Sequence, residues 1–221
     1  MLVVLAGVAV GGREVLLHSE RFQVADVEVL GIAPADSDGG GLDPARVRGA
    51  AGIGQGVPLL SVDLADVQRR VATIPEVASV HASRSWPSTV RLAVTARTPV
   101  AEAASPSGLR WVDATGTAFR EAPLDGPPLP RLSAATVAPG DPSTEAGLAV
   151  LASLTPSLRE KLQVVEASGP AAVTLRLAGG KQVRWGSPER SDRKAAVLGV
   201  LMSQRGSVYD VSAPDLPTIR R

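Results

Sequence analysis

The stretch Val77–Arg97, VASVHASRSWPSTVRLAVTAR, decides the fold. It reads as a strand from Val77 to Arg84, a turn at Trp86-Pro87-Ser88, and a returning strand from Thr89 to Ala96. Val90, Leu92, Val94 and Ala96 fall on one parity, whereas Arg91, Thr95 and Arg97 fall on the other. Such alternation belongs to a sheet with one buried and one wet face. Immediately upstream, Asp63 opens a helix with Asp66 in its first turn, where negative charge suits the dipole. Leu64, Val67, Val71 and Ile74 make its apolar stripe, and Pro75 stops it. A shorter helix starts at Asp43-Pro44, N-cap and first position, runs through Val47 and ends near Gly52. The polar cluster Pro34–Gly41 (PADSDGGG) is a loop. Phe22–Gly31 (FQVADVEVLG) is a strand whose apolar phase slips at Ala25–Asp26, the mark of a bulge. The order strand, helix, helix, strand, strand makes one small domain of roughly 80 residues.

Downstream, a second part begins. Trp111–Phe119 (WVDATGTAF) is a hairpin around a Thr-Gly turn, with Trp111 and Phe119 available to one core. Pro123–Arg131 (PLDGPPLPR) is an ordered, Pro-rich crossing rather than a ligand for a Pro-binding domain. Asp141-Pro142 caps a helix carrying Leu148, Leu151 and Ala152 on one face. Val173, Leu175 and Leu177 alternate up to Gly179-Gly180, and Val183 and Trp185 return. Ser187-Pro188 caps a last helix with Val197, Val200 and Leu201 inward. Its opening charges, Glu189, Arg190, Asp192, Arg193 and Lys194, form a solvated surface. Ser207–Ala213 (SVYDVSA) is a terminal strand, followed by the tail Pro214–Arg221.

Composition narrows the function. The 221 residues hold 23 Lys plus Arg against 22 Asp plus Glu, a net charge of +1 that argues against a nucleic-acid binder. The absence of Cys removes disulfides, thiolate catalysis, zinc ribbons and Fe–S clusters, and two His, His18 and His81, do not suffice for a multi-histidine metal site. Met1–Val10 (MLVVLAGVAV) is apolar, with Val15, Leu16 and Leu17 extending it past Arg13-Glu14. It is shorter than the ~20 residues of a spanning helix and lacks the basic flank of a signal peptide. Two readings stand: a buried N-terminal helix, or, preferred, a membrane anchor whose beginning is missing.

The residues now carry a resemblance. Phe22-Gln23-Val24 through Gly31, Ala51-Gly52-Ile53, Gly56–Asp63 (GVPLLSVD), Pro75-Glu76-Val77, Arg84–Thr89 (RSWPST) and Arg97–Ala101 (RTPVA) resemble, in order, the POTRA domain of the FtsQ/DivIB cell-division family. Trp111–Phe119 and the ending Tyr209–Pro214 (YDVSAP) are similar to the following β domain of actinobacterial members. One departure is Ala96, where the family usually places Glu, so an ion pair made by that Glu is absent here. The resemblance implies an α+β chain: a partial N-terminal transmembrane anchor helix (1–19), a βααββ POTRA domain (20–97) and a mixed or antiparallel β domain with two helices (98–221). It also implies a bitopic protein of the bacterial inner membrane with its domains extracytoplasmic, acting at the division septum. Its expected partners are FtsB/DivIC-type and FtsL-type division proteins and the FtsW/FtsI-type septal peptidoglycan synthase complex.

No Gly-x-Ser-x-Gly, His-Glu-x-x-His or phosphate-binding Gly-x-x-x-x-Gly-Lys motif is present. Gly52–Gly56 (GIGQG) has the wrong spacing and context for a dinucleotide loop, and His81 lies in a strand without an acid or nucleophile implied beside it. The expectation is a non-enzymatic scaffold without cofactor or metal. Its binding site is the last strand, Val208, Tyr209, Asp210, Val211, Ser212 and Ala213, whose outer N–H and C=O groups would pair with an added partner strand. A tail folded over that strand would instead make it internal, with Tyr209 packing. Arg84, Trp86 and Pro87 are either a second contact or a solvent-edge turn stapled by an aromatic ring. A POTRA-type chaperone or transport module for outer-membrane proteins is the rival function, but tandem units and a barrel do not fit this length. A secreted hydrolase or cell-wall binder would need a convergent polar site or an aromatic platform.

Overall fold

The computed structural model describes residues 20–32, 41–124 and 126–220. The proposed anchor (1–19) and most of the Pro34–Gly41 loop lie outside those residues. No described helix is long and apolar enough to cross a membrane. The chain divides into two units, one ending at Arg97 and the other starting at Thr98.

The first unit is built as the periodicities dictate. Strand β1 (Asp26–Leu30) precedes helix α1 (Pro44–Ala51) and helix α2 (Leu64–Ala72), and strands β2 (Val77–Ser85) and β3 (Thr89–Ala96) follow. β3 is central, parallel to β1 with Val29 opposite Leu92, and antiparallel to β2 with Val80 opposite Val94. Asp43 caps α1 through Ala45 N, and Gly52 ends it in the left-handed region at φ 57°. Asp63 caps α2 through Asp66 N at 3.0 Å. That bond stabilises the charged carboxylate and holds Asp63 below the ordinary carboxylate pKa. Val67, Val71 and Ile74 pack with Val90, Leu92 and Val94 in one core. Residues 22–25 are not strand as expected: a 3-10 turn covers Glu20–Phe22 and Gln23 bridges Pro58 before β1 begins at Asp26. The slip in apolar phase marks that change of structure rather than a bulge.

The second unit is a nine-stranded mixed sheet. Its strands are β4 (Pro99–Ser105), β5 (Gly108–Asp113), β6 (Ala118–Glu121), β7 (Arg131–Ala134), β8 (Leu162–Ala167), β9 (Val173–Leu177), β10 (Gln182–Gly186), β11 (Val208–Asp210) and β12 (Thr218–Arg220). Their spatial order is β12-β11-β10-β9-β8-β7-β4-β5-β6. Helices α3 (Pro142–Ser153), α4 (Pro156–Arg159) and α5 (Ser191–Leu201) complete the unit, one more helix than the sequence reading expects. The β5–β6 hairpin forms around Asp113, whose Oδ1 accepts from Thr115 N, Thr115 Oγ1 and Thr117 N. The β9–β10 hairpin turns at Gly179-Gly180, both with positive φ, which glycine adopts without a steric penalty.

Two helical faces differ from expectation. In α3, Leu148 and Leu151 are buried with Ala146 and Val150, but Ala152 is exposed. Helix α5 starts at Ser191, not at Ser187-Pro188, after Arg190 takes the left-handed conformation. Ser191 Oγ accepts from Trp185 Nε1 at 3.0 Å and donates to the Pro188 carbonyl, fixing the helix phase. Lys194, Ala195 and Leu198 therefore turn inward, while Val200 is 69% exposed. Lys194 is not part of a solvated surface: its Nζ donates to the Ser187 carbonyl at 2.8 Å, and burial pushes its pKa down.

Candidate binding edges

Strand β11 is the element on which the binding site was expected, and the structure places it one position inside the sheet. It lies parallel to β10, with Val183 opposite Tyr209, and antiparallel to β12, with Tyr209 opposite Ile219. Val208–Ala213 is therefore not the edge. The physical reason is the tail, which turns back at Ala213–Leu216 and supplies three more residues of ladder. Gly206 permits the close approach, since a Cβ there would collide with Ile219 Cγ2. Outside the ladder, Asp215 pairs with Arg190 at 2.7 Å and with Arg193. The Arg190 hydrogen bond holds the Asp215 carboxyl below its ordinary pKa.

The side chains of β11 mainly serve the core. Tyr209 is fully buried, its hydroxyl donating to the Gln204 carbonyl at 2.9 Å and the Gly206 carbonyl at 3.1 Å. Val211 is also fully buried, and its N–H donates to the Arg184 carbonyl. Asp210 and Ser212 bond each other locally, through Ser212 N and Oγ to Asp210 Oδ1. Ala213 and Ser212 are exposed. The free main chain of this end of the sheet belongs to Thr218, Ile219 and Arg220, which have one strand neighbour among the described residues. Sequence reasoning passed over them because three residues after Pro217 carry too short an alternation to mark a strand.

In the first unit a helix side chain is bonded to one main-chain group on each edge strand. Arg48 Nε on α1 donates to the Val27 carbonyl of β1 at 3.1 Å. On the other side, Gln68 on α2 accepts from Ala82 N at 2.8 Å, in the middle of β2. A backbone group already bonded to a side chain is not offered to an incoming strand.

Arg84, Trp86 and Pro87 share the β2–β3 tip but do different things. Arg84 is a brace: it donates to the carbonyls of Leu59, Leu60 and Val62 at 2.9, 3.3 and 2.6 Å. Trp86 is 51% exposed, with Phe22 edge-on at 5.8 Å between ring centroids, and Pro87 is exposed. Phe22 is thus half-buried against Trp86, whereas Trp111 and Phe119 of the second unit are buried.

A cleft of about 1670 Å³ in the second unit runs past Pro128–Arg131, Leu148, Ala152 and Arg159. It is larger than the ~300–1,000 Å³ that encloses a small ligand. Its lining contains no Ser, Cys or His, and Arg159 is committed to the carbonyls of Leu151 and Ala152. Among the described residues no group of three or more His, Cys, Asp or Glu is placed to hold a metal.

Comparison with known proteins agrees with this architecture. Residues 41–97 match the family model "POTRA domain, FtsQ-type", and residues 103–216 match "Cell division protein FtsQ/DivIB, C-terminal". Cell division protein FtsQ of Mycobacteroides abscessus is 37% identical over 220 residues, covering all of this chain and 68% of that protein. FtsQ of Mycobacterium tuberculosis is 38% identical over 218 residues, covering 99% of this chain and 67% of the relative. FtsQ of Streptomyces bingchenggensis is 33% identical over 216 residues, covering 92% and 78%. The C-terminal match ends at Leu216, before β12 begins at Thr218.

Proposed function

The chain belongs to the FtsQ/DivIB family of cell-division proteins, and on that premise we propose that it is a non-enzymatic divisome scaffold held at the membrane by its apolar N-terminal segment. Its POTRA and β units stand outside the membrane at the septum. There the sheet edge at Thr218–Arg220 takes up a strand from an FtsB/DivIC-type partner, itself paired with an FtsL-type protein. Through them it links to the FtsW/FtsI-type synthases.

The observation that carries this reading is the contrast in edges: β12, like β6 at the opposite end, closes the nine-stranded sheet with one neighbour, while a helix side chain is bonded to one main-chain group on each of β1 and β2. A strand added there gains main-chain hydrogen bonds, and alternate side chains supply selectivity. Ile219 is half-buried on β11 and its neighbours Thr218 and Arg220 are exposed, so an added strand would read Thr218 and Arg220. The test is capture of the partner's extracytoplasmic segment by the full chain and by a chain lacking residues 218–221. Loss of capture in the shortened, folded chain is expected. Unchanged or stronger capture would contradict docking at Thr218–Arg220, stronger capture meaning that the partner pairs with Val208–Asp210 and the tail competes.

A further inference from the structure

Three tryptophans are present, and the fold treats one differently. Trp111 is 5% exposed and Trp185 fully buried, whereas Trp86 is 51% exposed at the tip between β2 and β3. The tip is braced. Arg84, two residues away, ties β2 to the 59–62 turn through three carbonyls, and that turn carries Leu60, itself 39% exposed. Ala25 N donates to the Ser88 carbonyl, so the chain arriving from the N-terminus is bonded to the same hairpin. Phe22 reaches the Trp86 ring directly.

The arriving chain identifies what lies beside this tip. Leu17, the last residue of the apolar N-terminal sequence, is five positions before Phe22, and Arg21 adjoins it. Five residues span no more than about 18 Å at full extension. If the apolar segment is held in a bilayer, the Phe22–Trp86 pair stays close to that bilayer's surface. Indole and phenyl rings with one wet side are the side chains that settle at the lipid headgroup level.

We infer that the Phe22–Trp86 tip of the POTRA unit rests at the lipid–water interface, a second contact with the membrane that sets the tilt of the unit on its anchor. This rests on the anchor reading of the N-terminal segment. A braced tip and a tether at the same end give two points of attachment, where a tether alone would leave the unit free to swing.

The test uses the full chain in phosphatidylcholine–phosphatidylglycerol vesicles, with tryptophan emission read against lipids brominated near the headgroup end of the acyl chain. Trp86 is the one exposed tryptophan of the three, so bromolipid should quench about a third of the emission if the rings emit equally. That quenching should vanish in Trp86→Ser, whose exposed position leaves the core intact by circular dichroism. Aqueous iodide should quench the wild-type chain less in vesicles than in detergent-free solution of the chain from Glu20 onward. A chain that floats with the vesicles but shows no bromolipid quenching contradicts the inference alone. Shielding from iodide without bromolipid quenching does the same, because a protein surface then covers the ring. A chain that fails to float contradicts the anchor reading and the inference together.

Discussion

The two sheets of this molecule end in different ways. The three-stranded POTRA sheet has a long strand at one edge, β2, and a five-residue strand at the other, and a polar side chain from a helix is bonded to each. The nine-stranded sheet ends at β12 with three residues, bonded inward to β11, and at β6 with four, bonded inward to β5. A long edge strand is a liability that must be covered, whereas a short one can be left for a partner. On the proposed docking reading, binding capacity follows what the helices beside each sheet do with their polar side chains, more than the sheets' size.

The largest effect that would sharpen this comparison is at Tyr209. Tyr209→Ala should cost the C-terminal unit about 3–5 kcal/mol, the range for a large buried ring. Tyr209→Phe should cost only about 1 kcal/mol, since two carbonyls lose their donor. Urea melts followed by emission of Trp185, in the same core, would show it. A Tyr209→Ala chain as stable as wild type would mean that β11 is not the packed inner strand described above. For the same reason a charged residue at position 209 is unsuitable as a probe of partner binding.

A smaller change addresses the β2 edge. Gln68→Ala removes the acceptor for the Ala82 N–H, a residue only 5% exposed, and should destabilise the POTRA unit by about 1–3 kcal/mol. It should also make the chain associate with itself at high concentration, read by sedimentation velocity, because β2 is nine residues long. A monomeric variant of undiminished stability would break the contrast between the two sheets.

The smallest effect is at the tail. Asp215 has its pKa lowered by the Arg190 hydrogen bond, so its contribution is complete above the ordinary carboxylate pKa and is lost as pH falls through the lowered one. Both arginines and Asp215 are about half exposed, so added salt weakens the contact. Asp215→Asn should speed amide exchange at Thr218–Arg220 at neutral pH, and the difference from wild type should vanish below the lowered pKa. Equal exchange in both chains at neutral pH would show that the ladder to β11 holds the tail unaided.

Much of the POTRA unit was legible in the sequence because its signals are local: Asp43 and Asp63 as caps, the Val67–Val71 stripe, and the Val90–Val94 alternation. The β9–β10 hairpin was legible for the same reason. Strands β4, β7 and β8 were not, since β7 has four residues and finds both neighbours in parallel from distant segments. Such strands are specified by tertiary pairing more than by period. The face of α5 was misread because Lys194 looks like a surface charge, and its burial depends on a carbonyl at Ser187 and on the Trp185–Ser191 bond. For the candidate site, alternation and the lack of a following element pointed to Val208–Ala213 as the outermost strand, but the turn at Ala213–Leu216 brings Thr218–Arg220 outside it. Arg84 was grouped with Trp86 by the motif, yet it braces the backbone while Trp86 faces outward.

Amide hydrogen exchange of the full chain, with and without the extracytoplasmic segment of the proposed FtsB/DivIC-type partner, tests the proposed docking edge most directly. The account predicts slowed exchange at Thr218–Arg220 on binding and no change along Asp26–Leu30 or Val77–Ser85. Slowed exchange in either POTRA edge strand, with Thr218–Arg220 unaffected, would contradict it.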